Sequence, residues 1–470
     1  MKTLVQAITM ALGTLGFAAA AHAGTYVVTA NSHALDAKLA RKIEAAGGTI
    51  TARLPQIGVA IVQSDYNDFA ARAAKIPGVH SAVSDFVMKF EQPQGQETIQ
   101  ADFANPPNSG DNDAFFDLQW GHAAIDAAGA WNAGHRGAGA TVAVLDSGLY
   151  CQHQDIAPNL IGGASFVPSE PNFCNTAGSS HGTHVAGTIL AVDNGVGTIG
   201  VAPESKLLAV KVLSAATGSG SFAGIIQGIV YAADNGADVI NMSLGVRGGL
   251  PVNGQGANDV RELINATARA TRYARSQNAI IVVSAGNDGR DLDKDSSVRV
   301  CDAGGENCFN QNLMAFPAQL PGVLSISALA PLGWAKTFTN ENLDLLASYS
   351  SFGITGVSHS APGGDFDYPG GEACSRTLTN GQVIRVPCWV FDMVLSTTTG
   401  TRGYSWNAGT SMAAPHVSGV AALIVGKHGG DLAPAQVERI LRASADDLGD
   451  SGKDPIHGFG RVNAARAVSN

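Results

Sequence analysis

Short, wholly apolar runs alternate with stretches of helical periodicity over most of this chain, and few folds accommodate that alternation. Residues 141–145 (TVAVL), 207–213 (LLAVKVL), 239–242 (VINM) and 279–283 (AIIVV) are too short for buried helices, and they lack the in-and-out pattern of a half-exposed sheet. Between them Phe222, Ile225, Ile226 and Ile229, and then Val260, Leu263, Ile264 and Thr267, recur at helical spacing. Strands apolar on both faces and separated by helices imply an α/β fold, a mostly parallel sheet with helices on both faces.

The rest of the chain sets this unit in context. Charged residues are only 14% of the 470, against roughly 25% in an average soluble protein, so most of the chain has the composition of a folded core rather than of disorder. The net charge is −10 and no window is a Lys/Arg run, which argues against nucleic acid as a partner. Glycine is abundant, 57 residues or about 12% against a usual ~7%, so many tight turns and close backbone approaches are expected.

Residues 1–23 read as an export signal: Lys2 gives the positive start, the stretch through Ala20 is apolar or small, and Ala21-His22-Ala23 suits cleavage. No later run approaches the ~18 apolar residues of a membrane span, so a secreted protein without a membrane anchor is expected. The six cysteines (Cys151, Cys174, Cys301, Cys308, Cys374, Cys388) include no C-x-x-C pair, which in an exported chain favours disulfides. Fifteen connectivities are possible. The sequence-local set is expected, Cys151 with Cys174, Cys301 with Cys308 and Cys374 with Cys388, because short closures are easy in a glycine-rich chain.

Residues 24–91 suggest a small separate α+β unit. Strands are expected near 25–30 and 58–63, a helix carries Leu35, Leu39, Ile43 and Ala46, a second helix spans about 65–75, and 79–90 returns as a strand. Residues 92–113 lose apolar periodicity and gather Gln, Pro, Asn and Asp, the composition of an exposed linker open to proteolysis.

Three segments place reactive side chains beside small residues at the ends of regular elements. Asp146 follows the 141–145 strand and precedes Ser147-Gly148, where it is either a turn aspartate or a carboxylate in the crevice above a parallel sheet. His181 and His184 open a helical run in HGTHVAG; His181 suits a general base, and His184 suits packing better than metal binding, since no third ligand is near. Ser411, in GTSMAAPH, enters an apolar helix, where a serine is an N-cap unless an imidazole takes its proton. Taken together they complete an acyl-transfer triad in the order Asp, His, Ser. That order disfavours a lipase or esterase of the α/β-hydrolase type, which presents its serine first in a G-x-S-x-G turn after a strand. The only such match, around Ser180, follows FCNTAG, which is no strand.

VLDSG, HGTHVAG and GTSMAAPH as a set resemble the subtilisin-like serine peptidases, and the likeness extends over nearly all of 117–468. The resemblance implies a subtilisin-like peptidase domain over 114–470 in which Asp146 supports the imidazole, His181 is general base and then acid, and Ser411 attacks the scissile carbonyl. Ser284-Ala-Gly-Asn287 resembles the segment whose asparagine completes the oxyanion hole. Ser243, Leu244 and Gly245 resemble the edge that pairs with an extended peptide, and Ala285 and Gly286 the facing wall of the primary specificity pocket. The pocket floor has no counterpart in the sequence, because 288–315 is longer than the corresponding family stretch.

Calcium is the cofactor the resemblance implies, held by Asp155 of HQDI and by the loop containing Val192, Asn194, Val196 and Thr198, with Asp117 or Gln119 as a further candidate ligand. The 24–91 module resembles the family's inhibitory propeptide, a ferredoxin-like α+β domain, and 92–113 would hold the processing site. The 458–465 stretch resembles the family's closing segment, so no further substrate-targeting domain is expected. The whole reads as a secreted, monomeric, calcium-stabilised endopeptidase of polypeptides, restrained by its own propeptide. The alternative is a catalytically silent secreted peptide-binding protein on a protease scaffold; such proteins normally have a substituted triad or oxyanion asparagine, and Asp146, His181, Ser411 and Asn287 all stand here.

Overall fold

Seven parallel strands form the centre of the molecule, in the order Leu160–Ser165, Lys206–Lys211, Thr141–Asp146, Val239–Met242, Ile280–Ser284, Leu324–Ala330 and His359–Pro362, with Leu345–Leu346 added antiparallel at Leu324–Ala330. This computed structural model describes residues 24–32, 35–92, 94–100, 111–254, 257–294, 296–301, 308–339, 342–378 and 381–469. The signal segment 1–23 and linker positions 93 and 101–110 lie outside the described residues.

Alternation along the central strands divides the interior into two cores. Val142 and Val144 point into one, Ala143 and Leu145 into the other, and Ile280 and Val282 are likewise opposed to Ile281 and Val283. Helices His181–Leu190 and Thr410–Lys427 cover the first face, and Phe222–Asp234 and Ala257–Ser276 the second. Both faces are apolar because both are buried, which is why these strands lack a polar alternate position.

The amino-terminal module is a four-stranded antiparallel sheet (Thr49–Leu54, Val59–Ser64, Gly24–Ala30, Val79–Ser84 in that order) with helices Ala37–Ala45 and Phe69–Ala73. Val28, Ala60 and Val62 face the module's own core, whereas Val27, Val59 and Ile61 face away and share the second core of the large domain. Asp85 accepts a hydrogen bond from Ala223 N at 3.2 Å at the start of Phe222–Asp234, and Arg269 reaches Ala30 O at 2.9 Å. The second helix is shorter than expected: the Ser64 hydroxyl accepts Tyr66 N at 3.2 Å, a local turn that delays the helix to Phe69. The 79–90 strand is also divided, into Val79–Ser84 and Val87–Lys89. Part of the expected linker is itself a strand, Gln94–Gln100, paired antiparallel with Gly403–Ala408. Its bonds are made by backbone groups, so it carries no apolar periodicity.

Disulfides join Cys151 to Cys174 and Cys374 to Cys388. Cys308 is disulfide-bonded and stands opposite Cys301 in the hairpin register; the Cys301 side chain lies outside the described residues.

One buried cation ties the Cys151–Cys174 loop to the sheet. Lys211, 1% exposed, donates to Ser147 O at 2.8 Å, to Asn175 Oδ1 at 2.6 Å and to Glu170 at 2.8 Å. Burial opposes the Glu170 charge, but Lys211, Ser214 and the Ala215 amide together hold its carboxyl down at about 2. Lys211→Met should remove the cation beside Glu170 and the lysine donor of Asn175 Oδ1, while Ser147 O keeps the Asn175 amide at 2.8 Å, and should cost about 3 kcal/mol. Urea unfolding in a Ser411→Ala background, which removes self-digestion, measures this, and a change under 0.5 kcal/mol would contradict the assignment.

Candidate active site

Parallel strands end on one side of the sheet, and the crevice there collects what their carboxyl ends carry. Asp146 is the last residue of Thr141–Asp146, Ser243 follows Val239–Met242, and Ala285-Gly286-Asn287 follows Ile280–Ser284. His181 begins one helix of the facing layer, and Ser411 is the second residue of another. Residues far apart in sequence therefore converge.

His181 Nδ1 lies 2.8 Å from Asp146 Oδ1 and 2.9 Å from Oδ2, and both side chains are almost fully buried. The Ser147 amide donates to Asp146 Oδ1 at 2.7 Å, which fixes the carboxylate. A proton on Nδ1, directed at the carboxylate, leaves the Nε2 lone pair free, and His181 Nε2 has no hydrogen-bond partner among the described residues. Packing this tight requires glycine after the histidine: a Cβ on Gly182 would lie 2.4 Å from Gly148 O and 3.1 Å from Asp146 Cβ. His184 takes no part in the site. Its Nε2 lies 3.1 Å from Val394 O and 3.0 Å from Ser405 O, and burial followed by the neighbouring His181 lowers its pKa to about 3.

Ser411 is held by its backbone. Pro415 has no N–H for the carbonyl four residues earlier, which is Ser411 O, and the Ser243 hydroxyl donates to that oxygen at 2.8 Å instead. The Ser411 hydroxyl rests on Ser243 O at 3.3 Å. Asn287 Oδ1 accepts from Thr410 N at 2.9 Å and from Thr410 Oγ1 at 2.8 Å. Its amide nitrogen is thereby turned toward Gly409, whose Cβ position is 3.7 Å away. The amide therefore points at the start of the Ser411 helix, where the helix dipole also favours negative charge.

Gly245, Ala285 and Gly286 line a pocket with Val246 and Ser284, consistent with an edge and a facing wall. The same pocket is also lined by Leu292, Ala315, Phe316 and Ala318, and by Asp288 and Arg290. Leu244 is buried in the core beneath, and Ser243 serves Ser411 rather than the pocket.

The calcium candidates also converge. Asp155 O accepts Val192 N at 3.0 Å, and its carboxylate accepts from Asn194 Nδ2 at 3.0 Å, Thr198 N at 3.4 Å and the Tyr404 hydroxyl at 2.8 Å. Asn194 Oδ1 accepts Val196 N at 3.0 Å. Gln119 is engaged with both polar groups of Ile199. Asp113, which the sequence reading passed over, is the residue that reaches the loop, with Oδ1 on Asn194 N at 3.3 Å. Asp113 Oδ2 and Thr198 Oγ1 are buried without a hydrogen-bond partner among the described residues. Burial pushes Asp155 up to about 6, and burial together with Asp111 pushes Asp113 up to about 9. Orphaned hard oxygens and carboxylates that resist ionisation are what a bound divalent cation would relieve, so the donor set fits Ca²⁺.

Comparisons with known proteins agree with this geometry. The model of the subtilase family (peptidase S8) matches residues 137–460. Subtilisin DY of Bacillus licheniformis is 33% identical over 335 residues, 71% of this chain and 93% of that protein. Subtilisin of Bacillus pumilus is 34% identical over 353 residues, 75% of this chain and 98% of that protein. Among solved structures, fervidolysin of Fervidobacterium pennivorans, a keratinolytic enzyme related to subtilisin, superposes with a TM-score of 0.65 at 25% identity; the match covers 96% of this chain, which spans 61% of the fervidolysin chain. The epidermin leader peptide processing serine protease of Staphylococcus aureus shares the fold, with a TM-score of 0.70 at 21% identity over 95% of this chain and 98% of its own. This chain belongs to the subtilase family of serine peptidases, hydrolases that act on peptide bonds.

Proposed function

We propose that the protein is a secreted serine endopeptidase, made as a preproenzyme, in which Ser411 is the nucleophile, His181 the general base and acid, Asp146 its support and Asn287 an oxyanion donor. The single observation that carries this reading is the two-oxygen contact of Asp146 with His181 Nδ1 beside an unpartnered Nε2. In the reaction the Ser411 hydroxyl leaves Ser243 O and turns to Nε2, which takes its proton as Oγ bonds to the scissile carbonyl carbon. The carbonyl oxygen becomes an anion facing Asn287 Nδ2 and the Ser411 N–H. Collapse breaks the C–N bond as His181 returns the proton to the leaving amine. Water then repeats the sequence on the acyl-enzyme. Asp146 stays ionised and stabilises the imidazolium that forms twice in the cycle.

Polypeptide substrates would bind extended, main chain to main chain, along Ser243, Leu244 and Gly245 with a side chain against Ala285 and Gly286. The 24–91 module would act as the intramolecular inhibitor, since it is docked on two helices of the peptidase domain and its last residues enter this same cleft. Export follows from the 1–23 segment, and no helix among the described residues is long and apolar enough to cross a membrane.

Asp113, Asp155, Asn194 and Thr198, with the carbonyls of Val192 and Val196, would hold Ca²⁺. When bound, the ion would supply fixed positive charge that cross-links the 192–198 loop to the start of the large domain, away from Ser411.

Two outcomes test the reading. Asn287→Ala should lower turnover of casein by about 10²- to 10³-fold with KM little changed, because an oxyanion donor acts mainly in the transition state; a raised KM with turnover intact would contradict it. A site filled only in the folded state adds about 2.7 kcal/mol at a hundredfold excess of Ca²⁺ over Kd. EDTA should therefore shorten the half-life of the warmed enzyme while an immediate assay in the cold stays near full activity. Instant loss of activity in a folded enzyme would make the metal catalytic, and an unchanged half-life would show that the site binds none.

A further inference from the structure

Two strands near the end of the module, Val87–Lys89 and Gln94–Gln100, pair with different parts of the large domain. Upstream, Val87–Lys89 pairs antiparallel with Ser219–Ser221, Phe90 N donates to Gly218 O at 3.2 Å, and Glu91 N donates to Gly245 O at 3.0 Å. The Glu91 carboxylate accepts a hydrogen bond from the Asn287 backbone N–H at 2.9 Å. Downstream, Gln94–Gln100 pairs with Gly403–Ala408, placing Gln94 opposite Ala408, three residues before Ser411. The chain therefore leaves an edge anchored at Gly245 and Asn287 at Glu91, and by Gln94 it lies on the strand that leads directly into the Ser411 helix. Three residue steps separate Glu91 from Gln94, so this passage spans at most about 10 Å. The cavity in front of His181 agrees, being lined by Lys89 and Gln92 from one side of that passage and by Thr98 and Asn407 from the other.

We propose that the peptide bond cut in self-processing lies between Glu91 and Gly95, so that the enzyme chain first begins at Gln92, Pro93, Gln94 or Gly95. This rests on the reading of Ser411 as nucleophile and narrows a processing region that, by composition, extends to residue 113. Ser411 Oγ bonds to the carbonyl carbon of that peptide bond, and the C–N bond breaks. The proton held on His181 passes to the nitrogen that becomes the new amino terminus, and water releases the module as a carboxylate. Burial and then the neighbouring Asp288 push the Glu91 carboxyl up to about 7, in keeping with a side chain enclosed by the cleft rather than one on an open linker. The strand from residue 95 to residue 100 then remains with the enzyme, on the leaving-group side of the site.

The test is a time course of the full chain after purification under denaturing conditions and refolding, with intact masses and terminal sequences read for both fragments of the first cut. The expected first fragments are a module ending at one of residues 91–94 and an enzyme chain beginning at the residue that follows. A first cut before residue 91 or beyond residue 95 would overturn the proposal. Ser411→Ala refolded in parallel separates the two levels of the argument: no cut in the variant and a misplaced cut in the parent refute the location alone, whereas the same cut in both refutes Ser411 as the nucleophile. A second variant, lacking Gln92 to Gln94, should be too short to cross the site and should process at least tenfold more slowly; processing at the parental rate would also overturn the location.

Discussion

The burial of the Thr410–Lys427 helix is the constraint on which the site depends. From Thr410 to Val425 every residue is buried, so the helix must be apolar or small all round rather than amphipathic. Close approach sets which positions must be smallest: a Cβ on Gly419 would come within 2.5 Å of the Val201 side chain. A helix so enclosed cannot shift without opening the core, and its amino end is therefore a fixed point in the crevice. Pro415 makes that end specific by freeing the Ser411 carbonyl for Ser243, a residue supplied by the sheet. Ser411, the proposed nucleophile, is thus located by packing below and by one hydrogen bond beside it.

The other site residues are placed by the same sheet. The carboxyl ends of the parallel strands deliver polar groups to the crevice, so Asp146 and Ser243 stand there, while Lys211, at the end of the neighbouring strand, is buried with three partners. Lys211 and Asp146 are bound into one structure through Ser147, whose carbonyl accepts from the lysine and whose N–H donates to the carboxylate. The geometry of the triad and the stability of the fold are in this way joined over a few residues.

What the sequence made legible follows the same logic. Apolar runs announced the central strands, and DSG, HGTH and GTS marked the positions where those strands and helices deliver chemistry. The packing role of His184 was legible too, since no third ligand stood near it. Harder to see were groups whose role depends on what arrives from elsewhere in the chain. Asp113 looked like one more polar linker residue until the 192–198 loop was placed against it. The remaining lining of the pocket, at Leu292 and at 315–318, falls within and just after the long 288–315 stretch, and its residues carry no signal of their own. Gln94–Gln100 and Val87–Lys89 are held by backbone pairing, which asks almost nothing of side chains, so composition alone suggested an open linker there.

The central claim is that Ser411 is activated by the His181–Asp146 pair, and covalent labelling tests it most directly. The mature enzyme, treated with a fluorophosphonate and digested for peptide mass mapping, should carry one phosphonyl group per chain, on Ser411, and His181→Ala should all but abolish the adduct. Labelling of Ser180 instead, or a folded enzyme that cleaves casein yet takes no label at Ser411, would contradict the account.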